Sequence, residues 1–302
     1  MKALFNILVF PGFLFASVAG MIAIYVDRKV SARVQWRKGP PLFQPVYDFV
    51  KLLGKEINVP AETSVITFLA APFFALAAIT LVSTIVWNNI IAPQSTFVGD
   101  LIVVVYLLAI PSIAVIVGGF ASNNPIASIG ASREMKLILS YEMPFILSIL
   151  VPVIKAGSIR IGDIVNYQIV NGPLIGSAAG ITAFISGILC VQAKLSMAPF
   201  DIPEAEQEII AGPVLEYSGL PLGIFKLTKW MMLFVIPSFL VALFMPGATF
   251  IGNMLRYVLV LVIIILIKNT NPRIKIDQAV KFFWTWVTGI ALLSIVLVLL
   301  GR

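Results

Sequence analysis

Long apolar runs separated by short polar stretches make up most of the chain. Eight of them come close to or exceed the roughly 20 residues that a 30 Å hydrocarbon layer demands at 1.5 Å per helical residue. They cover 4–25, 65–91, 98–121, 137–155, 174–193, 222–246, 250–267 and 282–300. Pro72 and Pro237 interrupt two of the runs, which lipid tolerates where neighbouring helices satisfy the freed carbonyls. The 137–155 run is the least regular, because Glu142 and Pro144 lie inside it. The pattern predicts an all-α polytopic membrane protein of about eight transmembrane helices. No linker or repeat divides it, so residues 1–302 are expected to form a single membrane domain.

The loops after the odd-numbered runs are 26–64, 122–136, 194–221 and 268–281. The first contains a second kind of pattern, an amphipathic stretch from Pro45 to Lys55. Val46, Phe49, Val50, Leu52 and Leu53 give it an apolar side, with Asp48, Lys51 and Lys55 opposite. Two readings are open for it. It can lie in the headgroups as an interfacial helix, or Asp48 can belong to a polar cavity facing a partner.

Composition sharpens the picture. Hydrophobic residues make up 60% and charged residues 12%, against about half and a quarter in a soluble domain. The net charge of +7 would suit nucleic acid in another chain. Here, sixteen Lys and Arg fall on the face of the four loops and its flanks and five on the other. That asymmetry accounts for the charge through topology and predicts both termini outside a plasma membrane, with the long loops cytoplasmic. No Ala-x-Ala cleavage pattern follows the first run, so a secretory signal is not expected.

There is no His, and Cys190 is the one Cys. This excludes haem ligation by His, zinc–histidine sites, Ser/His or Cys/His catalysis and four-Cys clusters. No redox cofactor is expected in the chain itself.

The chemistry that remains is carboxylate. Glu142 lies inside an apolar run, where an anion is costly unless paired, protonated or hydrated. The third loop carries Asp201, Glu204, Glu206, Glu208 and Glu216. Asp201 can cap a helix with Pro203 in its first turn and Glu204 closing a capping box. Capping leaves Glu206, Glu208 and Glu216 unexplained. Close carboxylates raise one another's proton affinity, the property a proton relay needs; a solvated acidic loop is the alternative. The basic stretch from Arg28 to Lys38 can pair with the acids from Asp201 to Glu208.

Five blocks in order carry a resemblance. They are Asp27–Lys29 with Arg37-Lys38-Gly39-Pro40; Ser140-Tyr141-Glu142; Ala198-Pro199-Phe200-Asp201 with Pro203-Glu204-Ala205-Glu206; Glu216-Tyr217-Ser218-Gly219; and Asn271-Pro272-Arg273 with Asp277-Gln278. The chain resembles the subunit-1 family of respiratory complex I and membrane-bound hydrogenases from about residue 20 to 285. The resemblance implies a subunit at the junction of a peripheral electron-transfer arm and an ion-pumping membrane arm, with a carboxylate channel between them. Glu142, Glu204, Glu206, Glu208 and Glu216 match the channel acids. The expected docking residues are Asp27, Arg28, Lys29, Arg37, Lys38, Asp48, Arg133, Asp201, Arg273 and Asp277. Implied partners are hydrogenase-like and iron–sulfur subunits, which hold iron–sulfur clusters and in one branch nickel–iron, together with antiporter-like membrane subunits.

One block departs from the family. The quinone-reducing branch usually has Glu-Thr-Asn-Arg where this chain has Lys194-Leu195-Ser196-Met197. Lys194 thus joins the channel residues with reversed charge. The change favours a ferredoxin-dependent hydrogenase, or a related complex reducing another small acceptor, over a quinone oxidoreductase. A stand-alone secondary transporter would show inverted repeats with matching broken helices, and none is visible.

Overall fold

A computed structural model describes residues 2–61, 63–95 and 97–301, apart from the side chains of Lys2, Ser95 and Glu206. Among the described residues the regular structure is helical throughout. Seven helices are long and apolar enough to cross a membrane, and an eighth apolar helix is shorter.

The first apolar run is broken. α1 (Lys2–Leu8) is separated from α2 (Phe13–Val34) by a turn containing Pro11, which has no N–H to continue a helix. α2 runs nine residues past the predicted end at 25 and carries Asp27, Arg28, Lys29 and Arg33 on its last two turns. α3 (Gln44–Leu53) is the expected amphipathic helix. α4 (Val65–Ile91) and α5 (Asp100–Ala121) form an antiparallel pair.

α6 (Pro125–Ala156) departs most from expectation. The segment 122–136 is mainly helix, not loop. Asn124 caps it by accepting from Ile126 N–H at 2.8 Å, with Pro125 in the first turn. Thirty-two residues make a rod of about 48 Å, well beyond the hydrocarbon thickness. α7 (Ile161–Asn171) packs beside the outer ends of the spans. α8 (Ala178–Lys194) starts at a Ser177 cap and ends on Lys194, a cation at the negative end of the helix dipole.

The capping box expected at Asp201 does not form. The chain from 195 to 218 is an irregular strap holding only α9 (Glu206–Ile209) and a short turn at Gly212–Val214. Asp201 pairs instead with Arg273, in the loop that follows α11.

α10 (Gly219–Phe244) is the central helix, 94% buried over its most apolar stretch. It packs against α2, α3, α4 and α11 (Phe250–Thr270). Gly20 permits the close crossing with α2: a Cβ there would sit 2.5 Å from the Trp230 carbonyl oxygen. Trp87 stacks on Phe234 with centroids 5.4 Å apart, linking α4 to α10. The last span is α12 (Ile276–Phe282), a π turn over Phe283–Val287 and α13 (Thr288–Leu299), packed on α6 and α8.

Candidate functional site: a charged vestibule above a buried carboxylate

The loop-side ends of the helices bring together most of the charge. Each of the six ion pairs among the described residues joins two different segments there. Arg28 and Asp48 tie α2 to α3 at 2.8 Å, and Lys268 and Asp27 tie α11 to α2 at 2.6 Å. Arg133 binds Glu208, Lys229 binds Glu204 and Arg273 binds Asp201. Lys194 donates to Glu142 at 2.9 Å between α8 and α6.

These pairs surround two cavities. The outer one, about 770 Å³, is a polar vestibule whose walls include Asp27, Asp201, Glu204, Glu208, Lys268 and Arg273. The inner one, about 470 Å³, is mostly apolar and is lined by Ser112, Glu134, Lys194, Met197 and Tyr217. Glu204, Lys229, Ser196 and Met197 line both. The Glu204–Lys229 pair therefore stands at the neck.

Lys194 has no exposed side-chain surface, while Glu142 keeps 23%. The ammonium also lies 5.1 Å from the ring centres of Tyr141 and Phe145, a favourable place for a cation. Glu134, on the same helix as Glu142, is buried and faces the inner cavity, with no ion pair among the described residues. α6 thus carries two carboxylates, Glu134 at the inner cavity and Glu142 deeper in the bundle, and Lys194 of α8 both lines that cavity and pairs with Glu142.

Asp48 sits outside the spans. Burial lifts its carboxyl, but hydrogen bonds from Arg28 and Gln44 and the Arg28 charge outweigh this and hold it below the ordinary value of 3.8. Tyr217, at the base of the strap, is pushed well up by burial and donates to the Phe68 carbonyl at 2.9 Å.

The expected residues divide clearly. Glu204, Glu208, Asp27, Asp201, Arg273 and Lys194 line the cavities. Arg28 lines the inner one and holds Asp48. Glu216 is set apart, hydrogen-bonded by the Asn124 amide at the start of α6. The Glu206 side chain lies outside the described residues. Asp277 is exposed in the first turn of α12, and Arg37 and Lys38 are exposed, with no ion pair among the described residues. Lys29 reaches the Pro40 carbonyl at 3.4 Å. The basic stretch 28–38 makes no ion pair with Asp201, Glu204 or Glu208; those acids take Arg273, Lys229 and Arg133.

Sequence reading missed Glu134 and Lys229 as site residues. The signal for Glu134 was its company: Ala127, Gly130, Ala131 and Leu137, buried at helical spacing, mark the face it shares.

The comparisons with known proteins agree with this architecture. Residues 5–299 match the family model described as NADH dehydrogenase. The chain is 33% identical to the H subunit of the NADH-quinone oxidoreductase of Geobacillus sp. (strain WCH70), over 96% of this chain and 93% of that one. It is also 33% identical to the corresponding H subunit from Dehalococcoides mccartyi (strain CBDB1), over 95% and 83%. Among solved structures it is similar to a chain of the membrane-bound sulfane sulfur reductase, an archaeal respiratory membrane complex. That match has TM-score 0.88 and 29% identity, over 98% of this chain and 99% of that one.

Proposed function

The chain belongs to the NADH dehydrogenase family, the subunit-1 proteins of complex I, and from that premise we propose that it couples a partner's redox reaction to ion translocation. It is an integral membrane subunit of a complex I-like respiratory complex. In the proposed role, the vestibule faces a peripheral electron-transfer arm, docked on the 194–221 strap with Arg133, Arg273 and Asp277. Redox events at that interface disturb the Glu204–Lys229 pair at the neck. The disturbance reaches Glu134, Lys194 and Glu142, and ions move on to antiporter-like membrane subunits.

The observation that carries this reading is the Lys194–Glu142 pair. A buried ion pair is a poor source of stability, and ionisable groups inside a span mark ion pathways. The pair's lysine also lines a cavity that shares wall residues with a charged vestibule. The chain supplies charge and geometry only; iron–sulfur clusters belong to partner subunits, with nickel–iron in a hydrogenase branch. The loop-rich face is proposed as cytoplasmic, with both termini outside.

For the reaction we favour a ferredoxin-dependent hydrogenase or a related reductase of a small acceptor. Met197 supports this: it lines both cavities where the quinone branch usually has an Arg, and offers no hydrogen bond to a quinone carbonyl. The sulfane sulfur reductase is one structural relative of that kind; the quinone oxidoreductases remain the second reading through their sequence identity. Mass spectrometry of the co-purified complex tests the assignment. Nickel–iron hydrogenase-like or sulfur reductase-like subunits are expected, and flavin- and NADH-binding subunits would overturn it.

A further inference from the structure

α3 carries more apolar surface than the protein covers. Pro45, Phe49 and Leu52 turn toward the bundle, Phe49 and Leu52 beside Gly223 near the start of α10. A second stripe, Val46, Val50 and Leu53, recurs at four and three residues and is exposed, flanked by exposed Tyr47 and Phe43. Trp36, in the turn that ends α2, is 98% exposed.

Five exposed cations flank the stripe along the chain: Arg33, Arg37 and Lys38 before α3, and Lys51 and Lys55 at its end. None of them is in an ion pair among the described residues, whereas Asp27, Asp48, Glu142, Asp201, Glu204 and Glu208 each hold one cation. Lys136, Lys226, Lys275 and Lys281 are also exposed and outside these pairs, so the cations near α3 are part of a wider basic loop face and are singled out by the uncovered apolar stripe they share it with.

Depth identifies the partner. α3 rests on the first turns of α10 and is clipped to the last turns of α2 by Arg28–Asp48. It therefore lies level with the ends of two spanning helices, where headgroups meet acyl chains. An apolar stripe at that depth, with a neighbouring Trp and a basic rim, is complementary to a lipid surface of negative charge.

We propose that the face formed by Trp36, Arg37, Lys38 and the outer stripe of α3 binds anionic phospholipid of the loop-side leaflet. The Val46–Val50–Leu53 stripe takes the acyl chains, and the cations take the phosphates. Arg37 and Lys38, expected from sequence to dock the peripheral arm, are assigned to lipid instead. The proposal does not rest on the coupling reading.

The test uses the intact complex in nanodiscs containing a minor fraction of brominated lipid, either phosphatidylglycerol or phosphatidylcholine. The Trp36 signal is the emission difference between wild type and Trp36→Phe. We expect quenching by both lipids, stronger with the anionic one. Arg37→Gln and Lys38→Gln should each lower that preference about fivefold. For the unaltered chain, 1 M salt, with a screening length of about 3 Å, should remove the preference and leave the apolar quenching. Three results would overturn the assignment: no quenching by either lipid, equal quenching that ignores charge and salt, or quenching only after the arm is stripped away. The last would give the surface to a protein partner.

Discussion

Lys194 and Glu142 are unequal partners: their charges meet at 2.9 Å, but the lysine side chain is fully enclosed and the glutamate is partly open. Removing either one strands the other. A stranded ammonium at Lys194 is fully enclosed, whereas a stranded carboxylate at Glu142 keeps some exposure. Glu142→Ala should therefore destabilise the complex by about 3–5 kcal/mol, the usual result of breaking a buried pair. Lys194→Met should cost clearly less. Melting of the purified complex in detergent orders the two, and a larger loss for Lys194→Met would contradict the burial asymmetry.

Glu142→Gln isolates titration from packing. The amide oxygen still accepts from Lys194, so the complex should assemble. Ion uptake into inverted vesicles, normalised to assembled complex, should fall severalfold, and electron transfer should fall with it where the two steps are tightly coupled. Asp163, which accepts from the Ser158 hydroxyl in the first turn of α7, provides the control. Asp163→Asn keeps an acceptor there and should pump normally. Wild-type uptake in Glu142→Gln would remove Glu142 from the pathway.

Gly130 on α6 seats the strap. A Cβ at this position would lie 2.6 Å from the Pro213 backbone nitrogen. Helix propensity alone makes Gly→Ala favourable by up to about 1 kcal/mol. Overpacking against backbone costs about 1–3 kcal/mol, so Gly130→Ala should lower the melting temperature and loosen the peripheral arm. A rise in stability would mean that the strap yields freely.

The clip between α2 and α3 has a pH signature. Asp48 has its carboxyl held below 3.8 in the folded protein. Its contribution is complete above that unfolded value and is lost as pH falls through the depressed folded one. Hydrogen exchange in α3, corrected for intrinsic rate, should therefore be flat between about pH 5 and 8. Asp48→Asn should raise it across that whole range. A step near neutral pH in the wild type would point to another titrating group.

The isolated chain should bind no stoichiometric metal or flavin. It has no His and one Cys, and no group of three or more His, Cys, Asp or Glu among the described residues could hold a metal. Elemental analysis finding one iron–sulfur cluster per chain would refute this.

The spans were legible because apolar runs report helices directly: 65–91 coincides with α4, and Lys194 closes α8 one residue beyond the expected end. The start of α6 was not, because Ser128, Arg133, Glu134 and Lys136 read as a polar loop. They are helical residues on a rod that projects past the bilayer. The pairings of the third loop were also hidden. Local rules favoured a cap for Asp201 and a mutual carboxylate cluster. Arg273, Lys229 and Arg133 arrive from 72, 25 and 75 residues away, distances over which sequence spacing carries no signal.

The enclosure of α10 decides how the site meets a changing bilayer. The other six helices long enough to span are at most 50% buried over their apolar stretches, against 94% for α10. When the hydrocarbon layer thins or thickens, lipid-facing helices answer by tilting. α10 has almost no lipid to answer to, so its height is set by its own chain. Lys229 rides on that helix, and its register against Glu204 is insulated from hydrophobic mismatch. Membrane thickness should retune the outer ring and its neighbours while leaving the neck of the vestibule at constant geometry.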